Sequence, residues 1–169
     1  MPKAVLSGPP GAGKSSVGRQ LAKILSCEIL DTDIEIEHRS GKKISEIFTD
    51  DGEVVFRALE KIVVLDALKS ATGVVALGGG SILDVDVADY LSKSEIPVAY
   101  LEVSISQAAP RVGFNKERPL LTINPRQQWM ALMEKRRPIY ESLATIKVAT
   151  DNRKPAEVAQ EIATSIGAK

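Results

Sequence analysis

The chain has 169 residues, enough for one domain with a real core and too few for two full-sized ones. Apolar residues make up 44% and charged residues 26%, the balance of a soluble globular protein. With 22 basic and 22 acidic side chains the net charge is zero, which argues against a nucleic-acid or anionic-membrane surface, since either needs a basic excess. Any basic site must therefore be a local pocket. A single cysteine, Cys27, excludes an internal disulfide and a multi-cysteine metal cluster, and the single histidine, His38, removes His-based metal sites and relays. Cys27 reads as a small buried residue at a strand start and His38 as a solvated position late in a charged helix. The apolar run Ala4–Ser7 after Met1-Pro2-Lys3 is far shorter than a signal-peptide core, and no run of about 18 apolar residues occurs, so a cytoplasmic protein is expected.

Short β-branched runs alternate with helical patterns, which predicts a parallel sheet covered by helices. Ala4-Val5-Leu6 reads as a first buried strand ended by the glycine-rich Gly8–Gly13. Lys14 to Leu25 follows as a helix, with Val17, Leu21, Ile24 and Leu25 on its apolar stripe. Glu28-Ile29-Leu30 is a short second strand with Asp31 at its carboxyl end. A helix from about Ile34 ends at Gly41, a good C-cap residue, and a small helix capped by Ser45 reaches Phe48. A long helix from Gly52 to Ser70 carries Val55, Leu59, Ile62, Val63 and Leu65 to Leu68 along its apolar side. Val74–Leu77 is the third strand, Val98–Val103 the fourth and Ile146–Val148 the fifth, with a helix near Val85–Leu91 and a closing one over Ala156–Ile166. Gly113 to Pro125 breaks the alternation. It is polar, has Arg118-Pro119 at its centre, and reads as a mobile lid over about residues 112–125.

Gly8-Pro9-Pro10-Gly11-Ala12-Gly13-Lys14-Ser15 fits G-x-x-x-x-G-K-[ST] between a strand and a helix. The glycines let backbone N–H groups converge on a phosphate, and the helix that follows adds its positive N-terminus. Lys14 would reach the β- and γ-phosphates, and the Ser15 hydroxyl would join a Mg²⁺ shell. Such a loop marks nucleotide binding but is shared by many functions, so the acceptor side must decide.

Asp31-Thr32-Asp33 lies at the carboxyl end of the second strand, where ligands bind in open α/β sheets. In an extended stretch residues two apart point the same way, so both carboxylates would face the cleft. One could orient Mg²⁺ through its waters and the other accept the proton of an attacking hydroxyl. Asp33 also suits the N-cap of a helix starting at Ile34, a role that leaves Asp31 unexplained. Arg57 and Glu60 are three apart on the long helix. They read either as an exposed ion pair or as an arginine held by Glu60 and aimed at a substrate carboxylate. Gly78-Gly79-Gly80 suits a place where a ligand comes close to the main chain. Arg118 and Arg136 are further anion-binding candidates, although Arg137 beside Arg136 leaves open which of that pair is solvated.

Taken together, these segments resemble the shikimate kinases from end to end. The closest matches are Gly8–Ser15, Leu30-Asp31-Thr32-Asp33, Gly41 through Ile44 to Ile47-Phe48, Gly52-Glu53 with Phe56-Arg57 and Glu60, Leu77–Gly80, Arg118-Pro119-Leu120-Leu121, and Arg136 with Pro138 and Tyr140. The resemblance implies one domain over residues 1–169, a three-layer α/β/α P-loop fold with a five-stranded parallel sheet. It adds a helical substrate-binding region over about 33–61 and the lid. It implies transfer of the ATP γ-phosphate to the 3-hydroxyl of shikimate, in aromatic amino-acid biosynthesis, with Mg²⁺ as cofactor and a monomer as the working unit.

Carried over by residue, Gly11, Ala12, Gly13, Lys14, Ser15 and Ser16 bind ATP, and Ser15 and Asp31 stand by the metal. Asp33 binds the acceptor hydroxyls and takes the proton. Arg57 and Arg136 hold the carboxylate, supported by Glu60, with Gly78, Gly79 and Gly80 behind the ring. Arg118 stabilises the transferring phosphoryl group, and Arg111 and Arg153 border the nucleotide base. Pro110 is unusual before Arg111 on a helix. The competing readings are a kinase for another small acceptor, such as gluconate or a nucleoside monophosphate, and a non-catalytic nucleotide-binding regulator. Lys14, Asp33 and Arg118 together speak against the second.

Overall fold

The computed structural model describes residues 1–113 and 124–167. Five parallel strands form one sheet in the order β2-β3-β1-β4-β5. They are β1 (Ala4–Ser7), β2 (Ile29–Asp31), β3 (Val74–Ala76), β4 (Val98–Glu102) and β5 (Ile146–Ala149). Every residue of β1 and β3, and all of β4 but its last, is buried. Burial on both faces is why these strands read as unbroken apolar runs and not as alternating ones.

Helix α1 (Lys14–Ile24) packs against α8 (Pro155–Ser165). A second packed group is made by α4 (Glu53–Ser70), α5 (Val85–Lys93) and α7 (Pro125–Leu143), with α6 (Ile105–Gly113) lying along α7. Between β2 and α4 come α2 (Thr32–Ser40), the single turn α3 (Ile44–Glu46) and a π-helical turn over Ile47–Asp51. This stretch has its own small core of Ile36, Ile47, Phe56 and Val63, where the Phe48 and Phe56 rings meet at 4.5 Å. The strand order sets the ends of β2, β3 and β1 side by side, so Asp31, the triple glycine and the phosphate loop become neighbours.

Four local expectations are corrected. Helix α2 begins at Thr32, because Asp31 is its N-cap and accepts from the Asp33 N–H at 3.1 Å. Ser45 does not cap α3. The Lys43 and Ile44 N–H groups are instead taken by the Glu46 and Glu37 carboxylates at 2.8 and 3.1 Å. The buried stripe of α4 is Phe56, Glu60, Val63, Val64, Ala67 and Leu68, leaving Val55 and Ile62 exposed. Cys27 is only partly buried, packed on the edge of the main core. His38 is solvated as expected, its side chain 82% exposed.

Candidate active site

The phosphate loop turns through left-handed backbone at Gly11 (φ 85°) and Gly13 (φ 86°), and Gly13 hands the chain to α1. These turns aim the loop amides inward. A Cβ on Gly11 would also press on the Ala108 backbone at 3.0 Å, so α6 can approach only a glycine there. Lys14 is buried, and its ammonium donates to the Gly8 and Pro9 carbonyls at 2.7 and 3.0 Å. Ser15 Oγ donates to Asp31 Oδ2, joining the two candidate metal-side oxygens. Arg111 Nη1 donates to the Gly11 carbonyl at 2.9 Å. A cavity of about 230 Å³ opens over the loop, bounded by Lys14, Ser15, Asp31, Asp33 and Arg111 among others. The two carboxylates thus share the cavity although the stretch is not extended: Asp31 caps the helix and Asp33 sits in its first turn.

Next to this cradle an acceptor corner is assembled from α2, α4, the end of β3 and α7. Thr32 is fully buried, donating to the Ala76 carbonyl and accepting from the Gly78 N–H at 3.2 and 3.1 Å. It staples the start of α2 to the glycine turn and so fixes where Asp33 stands. Glu60 is buried on α4, with one carboxylate oxygen accepting from Arg57 Nη1 at 2.5 Å and the other from Ser81 Oγ at 3.0 Å. Arg57 also lies 3.5 Å from Glu53, and 30% of its side chain is exposed. Arg57 and Glu60 are therefore no surface pair. A carboxylate buried this deeply and bonded on both oxygens orients the guanidinium.

The three glycines serve three close approaches, and none has positive φ. A Cβ at Gly78 would lie 2.7 Å from Asp33 Oδ1 and 2.8 Å from Glu60 Oε1. At Gly79 it would meet Pro10 Cδ at 3.1 Å, and at Gly80 it would run into the Arg57 guanidinium. The groups that crowd the turn are the protein's own.

Arg136 is buried whereas Arg137 is exposed, which separates that pair. Among the described residues the Arg136 Nε has no hydrogen-bond partner, a costly state for a buried cationic donor that an anion would relieve. One turn further along α7, the buried Tyr140 hydroxyl donates to the Gly79 carbonyl at 2.5 Å. The Tyr140 ring stacks on Tyr100 at 5.2 Å, and burial, then the nearby Glu102, pushes the Tyr100 hydroxyl above its ordinary pKa.

Arg153 donates to the Ala149 carbonyl at 2.9 Å and pairs with Glu161 at 2.7 Å on α8. Arg118 and most of the expected lid lie outside the described residues. Sequence reasoning missed Thr32, Ser81 and Trp129, whose buried indole Nε1–H donates to the Pro10 carbonyl at 3.0 Å, and gave Tyr140 no role. The traces they leave are slight: a serine directly after the triple glycine, and a 4-3-4 spacing of Trp129, Met133, Arg136 and Tyr140 on α7.

A nucleotide loop at the head of a parallel sheet, opening beside a corner that presents carboxylate and arginine to a second ligand, defines a P-loop small-molecule kinase. The family model for shikimate kinase matches residues 10–167. A shikimate kinase of Thermobifida fusca is 53% identical over 167 residues, covering 99% of this chain and 96% of the relative. One of Streptomyces avermitilis is 47% identical over 169 residues, covering 100% and 98%. The solved structure of an Acinetobacter baumannii shikimate kinase in complex with shikimate superposes with a TM-score of 0.93 at 36% identity, covering 98% of this chain and 93% of that one. The chain belongs to the shikimate kinase family.

Proposed function

We propose that the protein transfers the γ-phosphate of ATP to the 3-hydroxyl of shikimate, giving shikimate 3-phosphate and ADP, in aromatic amino-acid biosynthesis. The observation that carries the acceptor is the pair of arginines. Arg57 is held by a buried carboxylate, and Arg136 is buried with an Nε that has no partner among the described residues. Two such groups suit a carboxylate on a small, hydroxylated ring, with Gly79 behind it.

In this reading the amides of Gly11 to Ser16 and the Lys14 ammonium hold the phosphates, Lys14 exchanging the Gly8 and Pro9 carbonyls for phosphate oxygens. Asp33, at the shared wall of cradle and corner, aligns the acceptor hydroxyl and accepts its proton. Ser15 and Asp31 offer a hydroxyl and a carboxylate, the hard oxygen donors that suit Mg²⁺. When bound, the ion neutralises charge on the transferring phosphates. Arg118 is assigned to the same charge and Arg111 to the nucleotide base. The protein is taken to work as a cytoplasmic monomer without nucleic-acid or membrane partners. Among the described residues, no helix is long and apolar enough to cross a membrane.

The test is ADP release from Mg-ATP with shikimate, gluconate, AMP or no acceptor. Strong stimulation by shikimate alone is expected. Stimulation by a different acceptor would overturn the roles of Arg57 and Arg136, and ATP binding with no stimulation would make the chain a regulator.

A further inference from the structure

A loop that points its amides at phosphate must point its carbonyls outward, and outward carbonyls that are buried need donors of their own. Here the crown of the loop contains Pro9 and Pro10, which have no N–H to offer one another. The Gly8 and Pro9 carbonyls are served from within, by Lys14 and, for Pro9, by the Ala12 N–H at 3.2 Å. The next two are served from outside the loop. Gly11 takes the exposed Arg111, and Pro10 takes the indole Nε1–H of Trp129 at 3.0 Å in a buried setting.

Trp129 is the only tryptophan in the chain and is 3% exposed. It stands two turns before Arg136 on the buried face of α7, with Met133 between them. Packing alone would be satisfied by any large apolar side chain, since the indole N–H adds nothing to a core unless it reaches an acceptor. The acceptor it reaches is the residue that also backs onto Gly79 of the acceptor corner.

We propose that Trp129 is a positioning residue for the phosphate loop. Its N–H holds the Pro10 carbonyl outward, which keeps the crown in the shape that receives ATP. The inference rests on the ATP-dependent reading above. When Lys14 turns to phosphate, the internal support of the Gly8 and Pro9 carbonyls weakens, and the Trp129 bond remains as a fixed point of the crown.

The test compares wild type, Trp129→Phe, and enzyme carrying a benzothienylalanine at 129, which keeps the indole shape but replaces the N–H by sulfur. Mg-ATP affinity is read by calorimetry, together with both Michaelis constants, turnover and the melting temperature. Losing the donor should weaken Mg-ATP binding and raise the ATP KM by roughly 5- to 20-fold, with turnover and the shikimate KM within about 3-fold. A shape-matched variant that binds Mg-ATP within about 2-fold of wild type overturns the proposal. So does an equal loss of both substrates that merely tracks a lower melting temperature, which would make Trp129 a packing residue. If Trp129→Phe fails to fold, the sulfur analogue decides alone. Wild-type protein that bound no Mg-ATP would sink the nucleotide reading and this inference with it, whereas wild-type binding with an unmoved analogue sinks only the inference.

Discussion

The phosphate cradle and the acceptor corner touch where Pro10 meets Gly79, yet they are built differently. The cradle is one run, Gly8–Ser15, and most of its chemistry is backbone N–H aimed by left-handed glycines. The corner gathers Asp33, Arg57, Glu60, the glycine turn, Ser81 and Arg136 from four elements, and its chemistry is side chains held by other side chains. A backbone site survives most side-chain changes because the chain itself is the ligand. A side-chain network passes the loss of one member to the next, because each buried charge depends on its partner. Substitutions in the corner should therefore separate chemistry, acid binding and orientation while the cradle keeps its nucleotide.

The largest effect is expected at the wall between the two. Asp33→Asn keeps the shape but removes the carboxylate proposed to take the proton, and should lower turnover by roughly 10²-fold or more while Mg-ATP affinity stays near wild type. Single-turnover kinetics beside a nucleotide titration would check it. Turnover close to wild type would take Asp33 out of the chemistry. Arg57→Ala comes next, expected to raise the shikimate KM about 10²-fold, because a buried substrate carboxylate loses a bidentate partner. If the ATP KM moved instead, Arg57 would belong to the cradle and the division drawn here would fail.

Gly79→Ala probes the seam itself. Its new methyl would press on Pro10 Cδ from 3.1 Å, and neither the proline ring nor the loop can yield cheaply. Both Michaelis constants are expected to rise by several-fold, measured by ADP release from Mg-ATP with shikimate. A rise in only one would mean that the two regions do not share strain across Pro10.

The same contrast explains what could be read from the sequence. The cradle was legible because its residues are consecutive and a strand and a helix frame them, and the buried strands because covered parallel sheets leave unbroken apolar runs. The corner was legible only as candidates. Spacing alone could not tell whether Arg57 and Glu60 face water, because a buried glutamate interrupts the very stripe that marks the inner face of α4. That interruption also drew Val55 and Ile62 into the expected stripe, although both are exposed. Asp31 and Asp33 were read as two residues of an extended segment. Their true relation depends on a cap that starts the helix two residues early. The triple glycine reads in the sequence as a place where a ligand comes close to the main chain; besides the adjacent Ser81, the groups that crowd it in the fold come from Pro10, Arg57, Asp33 and Glu60, none of which is near it in sequence.

The smallest effect is the sharpest test of the network. Ser81 touches no substrate in this scheme; it donates to the Glu60 oxygen that Arg57 leaves free. Ser81→Ala would leave that buried oxygen without its donor, and Glu60 would answer by shifting toward Arg57 or by losing its fixed geometry. A hydrogen bond to a charged group contributes about 1.5–3 kcal/mol, but Arg57 still pairs with Glu60 after the change, so only part of this should reach the acid site. The expected result is a shikimate KM raised about 3- to 10-fold, with the ATP KM and turnover nearly unchanged and with partial recovery in Ser81→Thr. Glu60→Gln combined with Ser81→Ala should then cost little more than Glu60→Gln alone, since the hydroxyl acts only through that carboxylate. Fully additive losses would show that Ser81 acts by another route, and that the corner is a set of separate contacts and not a chain of them.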